Sequence, residues 1–104
     1  MAQAVGIVEV FGLATAFAAA DAGCKAANVV LEPFDKNKPA NADALPVPLI
    51  VCIKFRGSVD DVKAAVEAAV QSANQTTGVV AQHVIARPEP GTQLMLGINA
   101  FDKN

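Results

Sequence analysis

The chain of 104 residues contains no tryptophan, no tyrosine, only two cysteines and a single histidine. Each scarcity removes a class of function. The formal charge is -2, the isoelectric point near 5.1, and the lysines are scattered. Such a chain lacks the basic stripe with stacking aromatics that nucleic-acid binding leaves, so nucleic acid is not an expected partner. Cys24 and Cys52 have no C-x-x-C spacing and no clustered histidine. They indicate neither a disulfide framework nor a metal site, and they read as plain buried thiols. His83 stands in an alternating, strand-like segment with no nucleophile or acid pair at an interpretable spacing. It reads as structural. Glu9 and Glu67 form no recognisable carboxylate pair. The glycines at 6, 12, 23, 57, 78, 91 and 97 are isolated, so no run cradles a phosphate. The expectation is a protein that is not an enzyme, with no catalytic residues, no cofactor and no metal.

Long apolar runs are also missing. The longest candidate, Val10 to Ala20, carries Gly12 and Thr15 and stops at Asp21, short of the ~20 residues a membrane span needs. Met1, Ala2, Gln3 and Ala4 lead directly into a strand-like segment, with no basic region and apolar stretch of a leader. A cytoplasmic chain with no membrane partner is expected. Yet apolar residues make up 53% of the sequence and the mean hydropathy is +0.37. Residues 1–104 read as one domain, and for a domain of that size the surface-to-volume ratio is unfavourable. Part of the apolar surface is expected to meet another subunit.

Turn signals divide the chain cleanly. Val5 to Val10 is β-branched and ends at Gly12, which predicts a first strand. Leu13, Phe17, Ala20, Cys24 and Ala27 follow at helical spacing, with Asp21 and Lys25 as an i,i+4 pair, and Asn28 closes the helix. Its alanines suit close packing on a sheet or a neighbouring subunit. Val29 to Leu31 is a second strand, which Pro33 ends. Phe34 to Pro48 has three prolines and no sustained periodicity, and reads as one long connection or a small hairpin. The continuous apolar run Leu49 to Ile53 predicts a central strand, passing into alternation at Lys54-Phe55-Arg56. Ser58 and Asp61 make an S-x-x-D cap for a helix over 59–74, with a core stripe of Val59, Val62, Val66, Ala69, Val70 and Ala73 and a Lys63–Glu67 pair outside. Val79 to Ile85 is a fourth strand, and the tail from Thr92 to Ala100 is weakly helical. Two βαβ units joined by a connection predict an α/β (α+β) fold of the ferredoxin-like split type. It would be a four-stranded antiparallel sheet with two helices on one face and a short C-terminal helix. That fold serves many functions and assigns none.

The wording of several segments goes further. Ala4-Val5-Gly6-Ile7-Val8-Glu9-Val10 with Gly12-Leu13, then Ala20-Asp21-Ala22 with Lys25-Ala26-Ala27-Asn28-Val29, match in order the first strand, turn and helix end of one family. Arg56-Gly57-Ser58-Val59, Val62 to Ala68 and His83-Val84-Ile85-Ala86-Arg87-Pro88 match its later segments. Over residues 4–36 and 49–88 the chain resembles the single-domain, hexameric BMC-domain shell proteins of bacterial microcompartments, both carboxysomes and metabolosomes. The resemblance implies a structural subunit of a shell in the cytoplasm. Such subunits close cyclic hexamers that tile into sheets around enzymes, with itself and other shell proteins as partners and encapsulated enzymes as further ones.

The same resemblance places Lys25, Asn28 and Arg87 at the hexamer edge. A flexible three-donor ammonium and a rigid five-donor guanidinium suit carbonyl-rich partners across a symmetry axis. It places the connection after Phe34-Asp35 at a central pore, with Lys36, Asn37, Lys38, Pro39, Ala40, Asn41, Ala42 and Asp43 as the pore loop. There the chain departs from the family. The stretch Asn37 to Pro48 is longer and has no glycine, so a narrowed, capped or reshaped opening is expected. The competing expectation is a ferredoxin-like regulatory module that grips a small molecule with the 34–48 loop.

Overall fold

A computed structural model describes residues 3–98. Met1 and Ala2 of the leader reading, and Asn99 and Ala100 of the helical tail, lie outside the described residues. The elements are β1 (Ala4–Phe11), α1 (Leu13–Ala26), β2 (Val30–Leu31), β3 (Asp35–Asn37), a one-turn 3-10 helix (Ala42–Ala44), β4 (Ile50–Gly57), α2 (Val59–Asn74), β5 (Val79–Ile85) and α3 (Pro90–Leu96). All strand pairings are antiparallel, in the order β2-β4-β1-β5, with β3 also on β4.

The expected four-strand order is therefore present, with one addition. The outer neighbour of β4 is two short strands in one line: β2 pairs with Arg56 and Phe55, and β3 with Cys52, Val51 and Ile50. Between them Glu32 N–H still donates to Lys54 O at 2.9 Å. Pro33 has no N–H to give, and β2 ends before it as expected, with pairing to β4 resuming in the separate strand β3. Of the two readings of the 34–48 segment, the hairpin is the one that forms.

One face of the sheet and two helices make the core. Ala4, Val8 and Val10 of β1 and Val51, Ile53 and Phe55 of β4 pack with Ala16, Ala19 and Ala20 of α1 and Val62, Ala65, Val66, Ala69 and Ala73 of α2. The α2 stripe is as expected, and its cap forms: Ser58 Oγ accepts from Asp61 N–H at 3.1 Å.

The α1 stripe is corrected. Ala20 is buried and Ala27 packs against the core as expected, but the large members of the stripe do not face inward. Leu13 is 40% exposed, Phe17 62%, and Cys24 is exposed, while Thr15, Ala16, Ala19, Ala20 and Gly23 are buried. The cause is steric. A Cβ on Gly23 would run into the Phe55 ring and stand 3.0 Å from Ala65 O, so only the smallest side chains fit this seam, and the large ones turn outward. Cys24 is thus not the buried thiol expected. Partial desolvation first, and then the Asp21 carboxylate, raise its pKa. Cys52 is half-buried, and desolvation with help from Glu9 and Asp35 pushes its thiol up to about 11. Of the expected surface pairs, Lys25–Asp21 closes at 2.7 Å, whereas no ion pair joins Lys63 and Glu67 among the described residues.

The second face of β4 carries a feature the alternation at Lys54-Phe55-Arg56 does not suggest. Phe55 enters the core, but Lys54 and Arg56 are also buried, at 3% and 8% exposure. The short helix α3, capped by Glu89 and opened by Pro90, accounts for this. Lys54 Nζ donates to Leu96 O at 2.8 Å and Ile98 O at 3.3 Å, so a buried ammonium satisfies carbonyls left free at the helix end. Arg56 Nη2 donates to Gln93 Oε1 at 2.7 Å and Gln3 O at 3.1 Å. Two buried cations thus fasten the C-terminal segment to the sheet.

Two outcomes test this packing. Gly23→Ala should lower the melting temperature, because overpacking costs about 1–3 kcal/mol against a helix-propensity gain of about 1 kcal/mol. A raised melting temperature would show that Phe55 can yield. Lys54→Met keeps the stem and removes the donor. Amide exchange of Gln93 and Gly97 should accelerate roughly tenfold or more, the equivalent of a charged hydrogen bond. Global stability should fall far less, since the buried charge goes too.

Candidate assembly surfaces

The strand register sets the position of every candidate residue. Gly57 is paired with Ala4, and Val5 with Ile85, so the ends of β4 and β5 and the start of β1 share one end of the sheet. The end of α1 comes back to the same place, where Asn28 O lies 3.1 Å from a Cβ position on Gly57. Lys25, Asn28 and Arg87 are all exposed at this end. Lys25 belongs to the last turn of α1, Asn28 to the turn leaving it, and Arg87 to the bend after β5. Among the described residues no hydrogen bond or ion pair joins Arg87 to the other two.

Lys25 is held by Asp21, which by its hydrogen bond first and its charge second raises the ammonium pKa. Both side chains are mostly exposed, 75% and 62%. Exposed pairs of this kind contribute little, so exchange of Asp21 for another acceptor costs little.

The loop residues lie at the other end. Asn37 is paired with Ile50 and Phe11 with Ile50, and Gly12 N–H donates to Leu49 O at 2.8 Å. The length of β4, about 23 Å at ~3.3 Å per residue, separates the two sets. Lys36 and Asn37 belong to β3, with Asp35 Oδ1 accepting from Lys36 N–H at 2.9 Å. Beyond them the chain forms a knob of its own. Ala42 N–H donates to Pro39 O at 3.0 Å, Ala44 N–H to Asn41 O at 2.9 Å and Leu45 N–H to Ala42 O at 3.0 Å. Ala42 is buried inside it, whereas Lys38, Ala40, Asn41 and Asp43 are exposed and Pro39 is half-buried. A cavity of about 160 Å³ beside β3 is lined by Glu9, Asp35, Lys36, Asn37, Ile50 and Cys52.

A third surface follows from the phase of α1. Phe17 meets Phe34 edge to face, with centroids 5.0 Å apart. With Leu31, Glu32 and Pro33 they line an open groove of about 360 Å³, beside which Leu13 and Val30 are also exposed. Sequence reasoning missed this surface because it gave the large residues of α1 to the core. The remaining chemistry is sparse. His83 is exposed on the edge strand β5, and Glu9 and Glu67 lie on different elements, β1 and α2. Among the described residues no group of three histidines, cysteines and carboxylates gathers as a metal set, and no helix is long and apolar enough to cross a membrane.

The BMC domain matches residues 4–88. The chain is 37% identical to the bacterial microcompartment shell protein PduA of Salmonella typhimurium, over 90% of each chain. It is 34% identical to the carboxysome shell protein CcmK2 of a Synechocystis strain, over 94% of this chain and 88% of that protein. To the microcompartment shell protein PduK of Citrobacter freundii it is 37% identical over 88% of its length, but it spans only about half, 53%, of that protein. A microcompartment protein of Desulfitobacterium hafniense, solved by crystallography, superposes on 96% of the chain and 49% of its own with a TM-score of 0.70. At 24% identity that likeness concerns the fold alone. By domain match and by near full-length relatives, the chain belongs to the BMC-domain family of bacterial microcompartment shell proteins.

Proposed function

We propose that this single-domain chain is a tile without catalytic activity: six copies close a cyclic hexamer, and hexamers meet edge to edge in a layer that encloses enzymes. The observation that carries the reading is the separation of the two candidate sets. Lys25, Asn28 and Arg87 stand exposed at one end of the sheet and the 36–43 loop at the other. The subunit measures 42 × 32 × 20 Å, long enough to hold the two sets apart. A ring follows when a heterologous contact rotates each copy onto the next until it closes. The groove of Phe17, Leu31 and Phe34 supplies apolar surface for such a contact.

At the periphery, Lys25 and Arg87 reach backbone and side-chain acceptors of the adjoining hexamer, and Asn28 adds its amide. Each contact is small and is multiplied around the ring. At the axis, the knob of residues 38–45 takes the place of a short glycine-bearing turn, and six copies crowd the opening. Its hydrogen bonds make it a fixed obstruction and not a floppy one.

Electron microscopy of the purified protein tests the tile directly. Flat hexagonal sheets, tubes or hexameric discs support it, and a dispersed monomer overturns it. Lys25→Ala should abolish sheets and leave hexamers by native mass spectrometry. Replacing residues 37–48 by a short glycine-bearing turn should leave the hexamer and widen the central opening in class averages. An unchanged opening would place the loop away from the axis.

A further inference from the structure

We propose that Asp61, together with Gly57, is a positioning residue for the sheet-forming edge: its carboxylate holds the Asn28 turn in the geometry that edge contacts need. The inference rests on the edge reading given above. Its observation is a departure from ordinary capping. In a capping box the acidic residue three positions after the cap reaches back to the backbone N–H of the cap itself. Here Ser58 and Asp61 make the forward half, Asp61 N–H to Ser58 Oγ at 3.1 Å, and Ser58 Oγ–H donates to Asp61 Oδ2 at 2.9 Å. The other oxygen goes elsewhere. Asp61 Oδ1 accepts from Asn28 N–H at 3.3 Å, 33 residues away in the chain.

The recipient is a segment with few anchors of its own. After the last turn of α1 the backbone extends at Ala27, φ -155° and ψ 165°, and then reverses, with Val29 N–H donating to Ala27 O at 3.1 Å. Asn28 thus stands between a helix end and β2, exposed, its N–H bonded to Asp61. A second, independent contact seats the same turn. A Cβ on Gly57 would lie 3.1 Å from Asn28 O and 3.4 Å from Val29 Cγ1, so the absence of a side chain at 57 lets the turn settle against the end of β4. The N–H of Asn28 is therefore bonded to Asp61, and its carbonyl occupies room that a side chain at 57 would crowd. Both holds lie at one strand-to-helix junction. That junction sets where the Asn28 side chain and, three residues back, the Lys25 stem project. In this role Asp61 acts through Asn28.

A cap that merely stabilised α2 would behave differently, and three variants separate the two roles. Ser58→Ala removes the cap but leaves the Asn28 bond. It should lower the melting temperature and leave the protein concentration at which sheets appear unchanged. Asp61→Ala should also lower the melting temperature, but raise that concentration by roughly 3- to 10-fold, the weight of one hydrogen bond, with hexamers retained by native mass spectrometry. Asp61→Asn keeps an Oδ1 acceptor and should restore the wild-type threshold. If Asp61→Ala matches Ser58→Ala in sheet threshold, or Asp61→Asn fails to restore it, the positioning role is wrong. Gly57→Ala decides the matter should Asp61→Ala not fold. A methyl group against Asn28 O should raise the threshold with hexamers intact, and an unchanged threshold overturns the proposal. Lys25→Ala, run alongside, keeps the two claims apart. If it leaves sheets unaffected, the edge reading itself fails. If it abolishes them while Asp61→Ala and Gly57→Ala do not shift the threshold, only the positioning inference fails.

Discussion

The contact between Gly23 and Phe55 governs more of this molecule than any other. Phe55 of β4 is fully buried, and its ring occupies the space where any side chain on Gly23 would stand. α1 therefore has to present its smallest residues inward, and Ala16, Ala19 and Ala20 continue the seam against Ala65 and Ala69 of α2. Close-packed interiors admit no slack at such a seam. What α1 cannot bury it displays, so Leu13 and Phe17 become surface. The apolar excess of the composition and the groove beside Phe34 thus have one steric origin, and the chain gains an outward apolar face by tightening its inward one.

β4 divides the remaining work between its two faces. Val51, Ile53 and Phe55 serve the core, and Cys52, Lys54 and Arg56 the opposite side. An ammonium and a guanidinium buried there are tolerated because α3 brings carbonyls and an amide oxygen to them. The buried Arg56 Nε has no partner among the described residues, an imperfection in an otherwise bonded anchor. Since Lys54 bonds helix-end carbonyls, α3 docks in one register, and the C-terminal segment becomes part of the sheet's architecture.

How much of this could be read from the residues follows from what each pattern encodes. α2 was legible because its valines are large against polar neighbours and its Ser58–Asp61 cap is a local signal. α1 was legible as a helix and illegible in phase, because alanine on every side leaves hydrophobicity with little contrast, and the deciding contact is with Phe55, 32 residues away from Gly23. Pro33 marked the end of β2 correctly, but a missing N–H does not tell that pairing resumes beyond it in β3. The burial of Lys54 was invisible for a related reason: alternation marks the two faces of a strand, not what later covers them. The candidate residues stood out only through the resemblance. Their separation to opposite ends of the sheet required the register of β1 with β4, which no single segment contains.

That separation bears on the loop as well. A glycine-rich turn near a symmetry axis offers bare backbone amides. The 38–45 segment offers instead a turn whose N–H groups at Ala42, Ala44 and Leu45 are already consumed by its own carbonyls. What it leaves to solvent are the side chains of Lys38, Asn41 and Asp43, one cation, one amide and one anion. On the axis proposed above, six copies would set Lys38 ammonium and Asp43 carboxylate groups about the opening, where a glycine-rich turn sets backbone alone.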